Sequence, residues 1–551
     1  MSLILISWIY TLFTSINFGN LFLRILKHKP TNGIITSILG LFLTTILASI
    51  WACFERINIE FHALLLILNG ILFIQSKKQI TNIYKSLYED FKLFSKTLKW
   101  IFFFCFIIVL IQSSTSPILP DNETYYIQTI KWLNEYGFVP GLANLHLFLG
   151  QTSGWHITQS VFNFSFLYSN FNDLNGLCLV LVSFYFLKKL QLYSESKSII
   201  DLLFGLFPML YVVLYPFVNS PSPDLMVYLL SFIIFYLFLK NATSNYLLIV
   251  VFALFAFYIK ITSAILLMLP ILLITFRYPV IKTKVFKSIS LSIIVVFLWI
   301  IKNIIITGYP FFPVSKITFF KVSYAIPEQI IDYFFSSKIM HSFYVSPYDF
   351  NQISSSELLK KYFFNNGVDS VFAIITLMLV IIIPFVFYRI KNNKLWIIYG
   401  LFITQLTMLS FSSPQFRFYF FFTLFFSVLL LAYLLKNNKL LLPFYFGILF
   451  FTTIIYFFPN PLNLNSKDYI TFTNLVYPKL NSSTNCNFKK VTLDNLNYNS
   501  PSNTTLFWIT GNGLLPCVSQ DQIDYFQANF NVIPQMNGTS LKDGFYSKEL
   551  P

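Results

Sequence analysis

What most constrains this chain is a succession of apolar runs, each roughly 16 to 22 residues long, the length an α-helix needs to cross the hydrocarbon core of a bilayer. They begin near Leu3, Gly33, Ile59, Leu98, Leu174, Ser198, Leu225, Tyr246, Thr262, Ser288, Val368, Leu395, Phe418 and Leu440, about fourteen in all. The Tyr246 and Thr262 runs are separated only by Lys260, which fits either a tight hairpin or one longer, broken helix. With 56% hydrophobic and 11% charged residues and 67 Phe, the chain has more apolar surface than a soluble core can use. The expected fold is an all-α polytopic membrane protein. Met1 to Tyr10 has neither a basic n-region nor a small-residue cleavage site, so it reads as the start of a retained span.

The formal charge of +16 does not point to nucleic acid, because Lys and Arg fall in short clusters between apolar runs, the pattern that fixes membrane topology. Threading the spans alternately puts Arg24 to Lys29, Lys77 to Lys99, Lys188 to Lys197, Lys240, Arg277 to Lys287, Arg389 to Lys394 and Lys436 to Lys439 on one side. That side reads as cytoplasmic. The opposite, extracytoplasmic side receives loops 114–173 and 308–367, the NSPSPD turn ending at Asp224, the SPQFRF turn holding Arg417, and the tail. Composition shifts to Asn, Ser, Thr and Asp after Pro459, which divides a transmembrane domain, 1–458, from a small extracytoplasmic appendage, 459–551. In the appendage YITFTNLVY and TTLFWITG alternate as short strands do. Cys486 and Cys517 lie there too and could pair in an oxidising compartment.

The first large polar interval, Ile118 to Gly154, sets Asp121 and Glu123 directly after a membrane exit, then a short amphipathic segment, then a Pro/Gly-punctuated loop with Asn144 and His146. A carboxylate at a membrane face can act as a general base on a hydroxyl or ligate a divalent cation beside a phosphate. The same residues also fit an N-cap at Asp121 and a dipole partner at Glu123. Asp224 after Pro223 is either another cap or a second acid lining the same external cavity. Lys260 and Lys302, flanked by apolar residues, either face an internal cavity or snorkel to the interface. Arg417, among aromatics on a charge-poor turn, suits bidentate contact with phosphate oxygens. His146 and His156 have no metal-ligand spacing, leaving them as loop or cavity residues with a claim on substrate binding. The chain has no G-x-x-x-x-G-K-[ST], G-x-S-x-G or H-E-x-x-H motif, which argues against ATP hydrolysis and the common hydrolase mechanisms.

Many spans, an acidic motif (here DNETYY) early in the first large external loop, an interfacial helix after it and an arginine in a late external turn resemble the C-type (GT-C) superfamily of membrane glycosyltransferases. More closely, the chain resembles a family of bacterial polytopic membrane proteins through PGLANLH at Pro140 to His146, the TGYP-containing segment Lys302 to Pro313, and SLKDGF at Ser540 to Phe545. The resemblance implies a GT-C-like fold in the bacterial inner membrane and transfer of a sugar from a polyprenyl-phosphate donor to a glycan or lipid acceptor. It implies Asp121 as the base, with Glu123 assisting or binding acceptor. It gives Arg417, Lys302 and Lys260 to the donor phosphate, and lays the lipid tail against the Phe-rich spans. The acids are spaced D-N-E and not adjacent, so either can be the base. Two other readings share the topology: a lipid-linked glycan flippase or transporter, and a glycan polymerase or assembly protein that uses the tail. Inverted repeats would favour the carrier, and the sequence shows none.

Overall fold

The computed structural model describes residues 1–29, 31–168, 173–343, 345, 353–365, 367–436, 441–457, 472–479, 482, 486–502 and 507–551. Among them, nine helices are long and apolar enough to cross a membrane, and Tyr246–Ile259, Phe420–Leu435 and Leu441–Tyr456 are shorter apolar helices. The chain is a helical membrane protein, and among the described residues its only sheets are two small hairpins near the C-terminus. The expected domain boundary at 458/459 lies outside the described residues.

The apolar runs become helices where expected, and their ends follow local chemistry. Asn32 accepts the Ile34 N–H and Ser95 the Leu98 N–H, capping the helices Gly33–Ala52 and Lys96–Ser113. The first two spans cross closely, with Ser15 and Ser37 hydroxyls 2.7 Å apart. A Cβ on Gly19 would sit 1.8 Å from the Thr36 carbonyl oxygen, the small-residue contact that packs helices in lipid. The Ser198 run, Ile199–Phe217, is broken into short α and 3-10 turns around Pro208 and Pro216.

At Lys260, where the sequence leaves a tight hairpin or one broken helix open, the backbone does break. Helix Tyr246–Ile259 stops at Lys260, which is extended (φ −152°, ψ 119°). The Thr262 and Ser288 runs are one helical stretch, Ile261–Thr307, kinked at Arg277 (φ −137°), two residues before Pro279. The Tyr246 hydroxyl meets Ser288 at 2.9 Å, and the Phe257 and Trp299 rings are 5.4 Å apart. The Tyr246 helix therefore runs beside the second limb of that stretch in the same direction.

The basic intervals gather at one end of the bundle. Lys188 lies 2.5 Å from Asp90, Lys240 2.8 Å from Asp201, Lys284 donates to the Thr243 carbonyl and Lys287 to that of Leu26. At the other end the loop 114–173 carries the helices Ile127–Glu135 and Gly154–Phe162.

Among the described residues the strands are not where alternation suggested, and residues 469–471 and 504–506 of the two alternating runs lie outside that set. Phe472–Leu475 is a 3-10 turn and residues 507–511 form no strand, while β1 (Asn487–Leu493) pairs antiparallel with β2 (Leu496–Ser502), and β3 (Val532–Met536) with β4 (Phe545–Glu549). The first hairpin closes on Asp494-Asn495, with Asp494 at φ 51°, a turn that Asp and Asn tolerate. Helix Gln520–Phe530 packs beside β3.

This C-terminal unit sits on loop 114–173. The Phe545 N–H donates to the Pro140 carbonyl at 2.9 Å. The contact is close enough that both glycines are required: a Cβ on Gly544 (φ 90°) would lie 2.1 Å from that carbonyl oxygen, and one on Gly141 (φ 62°) 2.0 Å from the Phe545 oxygen. PGLANLH and SLKDGF, some 400 residues apart, are two halves of one joint.

Candidate active site

Asp121 follows Pro120 and precedes a π-helical turn, Asn122–Tyr126, that leads into helix Ile127–Glu135. Its side chain makes no capping bond. It takes Nη1 of Arg417 at Oδ2, and the Tyr126 hydroxyl donates to the same oxygen at 3.3 Å. Arg417 is on the 3-10 turn Phe416–Phe418. Its Nε donates to Gln415 Oε1 at 2.8 Å, and its carbonyl accepts from the Tyr228 hydroxyl at 3.1 Å. The pair remains open to solvent, with side chains 34% (Arg417) and 26% (Asp121) exposed.

A second ion pair lies alongside. Ser222 takes the capping role at the start of helix Pro223–Asn241, accepting from the Asp224 N–H, so the Asp224 carboxylate is available to Lys260. The extended conformation at Lys260 puts its ammonium 4.7 Å from the centre of the Phe418 ring, and Arg417 is 5.5 Å from the same ring. The break between two apolar runs thus serves to bring a cation to this end of the bundle.

Asp121, Asp224 and Arg417 line a cavity of about 320 Å³, walled also by Tyr126, Phe217, Tyr362 and Phe416. A third acid lines it, Asp369, in the first turn of helix Val368–Ile390. The sequence reading missed Asp369, although its signal matches that of Asp224: an aspartate opening an apolar run just after a turn residue.

Burial pushes the Asp121 carboxyl up, but the charge and hydrogen bond of Arg417, the charge of Lys260 and the Tyr126 hydroxyl outweigh it, leaving its pKa below the ordinary value. Asp121 is ionised at neutral pH. Burial pushes His146 down to about 4, and burial followed by the Lys302 charge pushes His156 down to about 3. Burial keeps both imidazoles in the neutral form near pH 7.

The other expected site residues lie elsewhere. Glu123 is buried, with Oε1 accepting from Asn122 Nδ2 at 3.0 Å and Oε2 from the Ser482 hydroxyl at 2.7 Å. Its carbonyl accepts from the N–H groups of Thr510 and Gly511. Asn144 and His146 belong to the joint: Asn144 Nδ2 donates to the Tyr324 carbonyl at 2.8 Å, Ser547 Oγ donates to Asn144 Oδ1 at 2.8 Å, and His146 Nε2 is 3.1 Å from the Trp508 carbonyl oxygen. Lys302 donates to the Thr152 carbonyl and lines a separate, smaller cavity. The three cations expected at one phosphate are therefore split between two cavities, with Lys260 in the wall of the smaller one. No disulfide joins Cys486 and Cys517, and Cys517 is buried.

Among the described residues no group of three or more His, Cys, Asp or Glu is placed to hold a metal ion. Asp121 and Asp224 are each paired with a cation, so the donor set does not fit a divalent ion. The site instead offers an ionised carboxylate facing a cavity next to an arginine. That arrangement can take a proton from a hydroxyl and neutralise an anion.

Residues 1–424 match the model of a family described as a domain of unknown function (DUF8201), and the chain belongs to that family. No curated protein and no solved structure matches the chain. The matched residues include PGLANLH, the TGYP segment, Asp121, Asp224, Asp369 and Arg417, whereas SLKDGF lies beyond them.

Proposed function

We propose that this membrane protein is an inverting glycosyltransferase of the C-type kind, with about fourteen spans, seated in the bacterial inner membrane with the Asp121 cavity and the C-terminal unit on the extracytoplasmic face. It transfers a sugar from a polyprenyl-phosphate donor to a cell-envelope glycan or lipid. The observation that carries the reading is the Asp121–Arg417 pair on the wall of a cavity of about 320 Å³ at the loop end of the bundle.

In this reading the donor phosphate takes Arg417, loosening the ion pair. The Asp121 carboxylate then loses its main compensation for burial and becomes a stronger base. It takes the acceptor hydroxyl proton while the acceptor oxygen attacks the anomeric carbon. The bond from that carbon to the phosphate oxygen breaks, its electron pair leaves with the polyprenyl phosphate, and Arg417 and Lys260 neutralise the charge. Tyr126, Phe217 and Phe416 give the sugar ring apolar faces to lie on.

The test is reconstitution of the full chain with a panel of labelled polyprenyl-phosphate sugars. The expected result is consumption of one donor with release of polyprenyl phosphate and an inverted linkage in the product. Labelled carrier lipid that crosses the bilayer intact, with no donor consumed, would overturn the transferase reading in favour of a flippase.

A further inference from the structure

Lys302 is 4% exposed, in the last turns of the helical stretch Ile261–Thr307. Of its three N–H donors one meets the Thr152 carbonyl, and the ammonium lies 5.6 Å from the centre of the Tyr258 ring. Among the described residues no carboxylate pairs with it. A buried lysine whose hydrogen-bond acceptor is a neutral carbonyl has no opposite charge to hold it ionised, and a bound counter-ion in an adjoining cavity would supply one. Here the cavity is present: about 100 Å³, lined by Gln151, Thr152, Tyr258, Lys260, Ile261 and Lys302, among others. The charged residues in its lining are Lys302 and Lys260, both cations. This cavity shares no lining residue with the Asp121 cavity, although the Lys260 ammonium turns toward Asp224. Ile261 on its rim is 45% exposed, which opens it at the outer surface of the bundle.

We propose that the Lys302 cavity is a second anion site, taking a phosphate group. A lysine binds phosphate as a point charge, and the volume admits one phosphate group with a water or two. The phosphate comes either from a membrane-lipid headgroup reaching in past Ile261 or from a free anion in solution. The site stands on its own geometry, whether or not the Asp121 cavity transfers a sugar.

The test uses the full chain in phosphatidylcholine nanodiscs, titrated with inorganic phosphate by calorimetry, and in parallel in nanodiscs containing phosphatidylglycerol, with retained lipid counted by native mass spectrometry. The variants are Lys302→Met, Lys302→Arg and Ile261→Glu, the last adding a carboxylate at the rim in case the methionine variant does not fold. Binding by wild type and Lys302→Arg that weakens at least about tenfold in Lys302→Met or Ile261→Glu supports the site. Its appearance with phosphatidylglycerol or with inorganic phosphate identifies the source. Wild type that binds neither probe, or variants that bind as wild type does, overturns the proposal.

Discussion

Asp121 and Glu123 stand two residues apart and do opposite things. Asp121 is partly exposed on a cavity wall and shares one oxygen between Arg417 and Tyr126, whereas Glu123 is buried in the joint with the C-terminal unit. Residues i and i+2 of a helical turn point to different sides, and the π-turn at Asn122–Tyr126 keeps that divergence. One turn of chain thus couples two regions: a cavity whose polar groups can change partners, and a joint whose polar groups are already committed. The difference teaches that neighbouring acids in a sequence need not share a site. It also gives the C-terminal unit a physical role, since Thr510 and Gly511 hold the Glu123 carbonyl, and Gln128 and Lys131 donate to the Gly513 carbonyl, Lys131 also to that of Asn512. The unit fixes the turn that aims Asp121.

The comparison can be broken most directly at Arg417. Arg417→Met is expected to lower sugar transfer about 10²–10³-fold, the cost of losing one donor aimed at developing charge. It also moves the acidic limb of the pH–rate profile upward, because burial of Asp121 is then opposed only by Lys260 and Tyr126. The sign follows from linkage. Asp121 has a depressed folded pKa, so the stability it contributes is complete above the ordinary carboxylate value of about 3.9 and is lost as pH falls through the lower folded value. A pH profile unmoved by Arg417→Met would mean that the pair does not set the base.

On the joint, Gly544→Val should cost about 1–3 kcal/mol by forcing a side chain against the Pro140 carbonyl, read as earlier thermal unfolding and faster proteolysis of the C-terminal unit. Should that unit remain docked and protected, the reciprocal glycine contact is not what closes the joint. Asn144→Ala removes the amide that bonds Tyr324 and Ser547 and is expected to cost about 1–2 kcal/mol with a smaller effect on transfer than Arg417→Met. A larger kinetic than thermal effect would move Asn144 to the substrate side. Smallest of all, Gly70→Ala, inside helix Ile59–Lys92 with no atom within 4 Å of the added Cβ, should stabilise by no more than about 1 kcal/mol.

The spans were legible because each is a long apolar run with polar punctuation, and a bilayer-length helix needs no tertiary information to announce itself. The kink at Arg277 was less so, since the Lys-rich interval from Lys282 to Lys287 reads as a loop although its backbone remains helical. The strands were missed because alternation was read at YITFTNLVY, whereas the first hairpin turns on Asp494-Asn495, between the β1 and β2 partners Leu493 and Leu496. At the site, the residue types at Asp121, Asp224, Lys260 and Arg417 were visible, but their pairing was not: Asp121 and Arg417 are 296 residues apart, and no local pattern encodes that. Asn144 and His146 looked like polar residues in search of a ligand. Their partners, Tyr324, Ser547 and Trp508, come from distant parts of the chain.

In the proposed transferase the acid on the cavity wall does the chemistry and the acid in the joint does not. Sugar transfer should therefore be compared in Asp121→Asn and Glu123→Gln, in one membrane preparation with the same donor. Asp121→Asn is expected to lose about 10²–10⁴-fold, the usual contribution of a general base, while Glu123→Gln, which keeps an oxygen for Ser482, stays within about tenfold of wild type. Equal losses in both variants, or full activity in Asp121→Asn, would contradict the account.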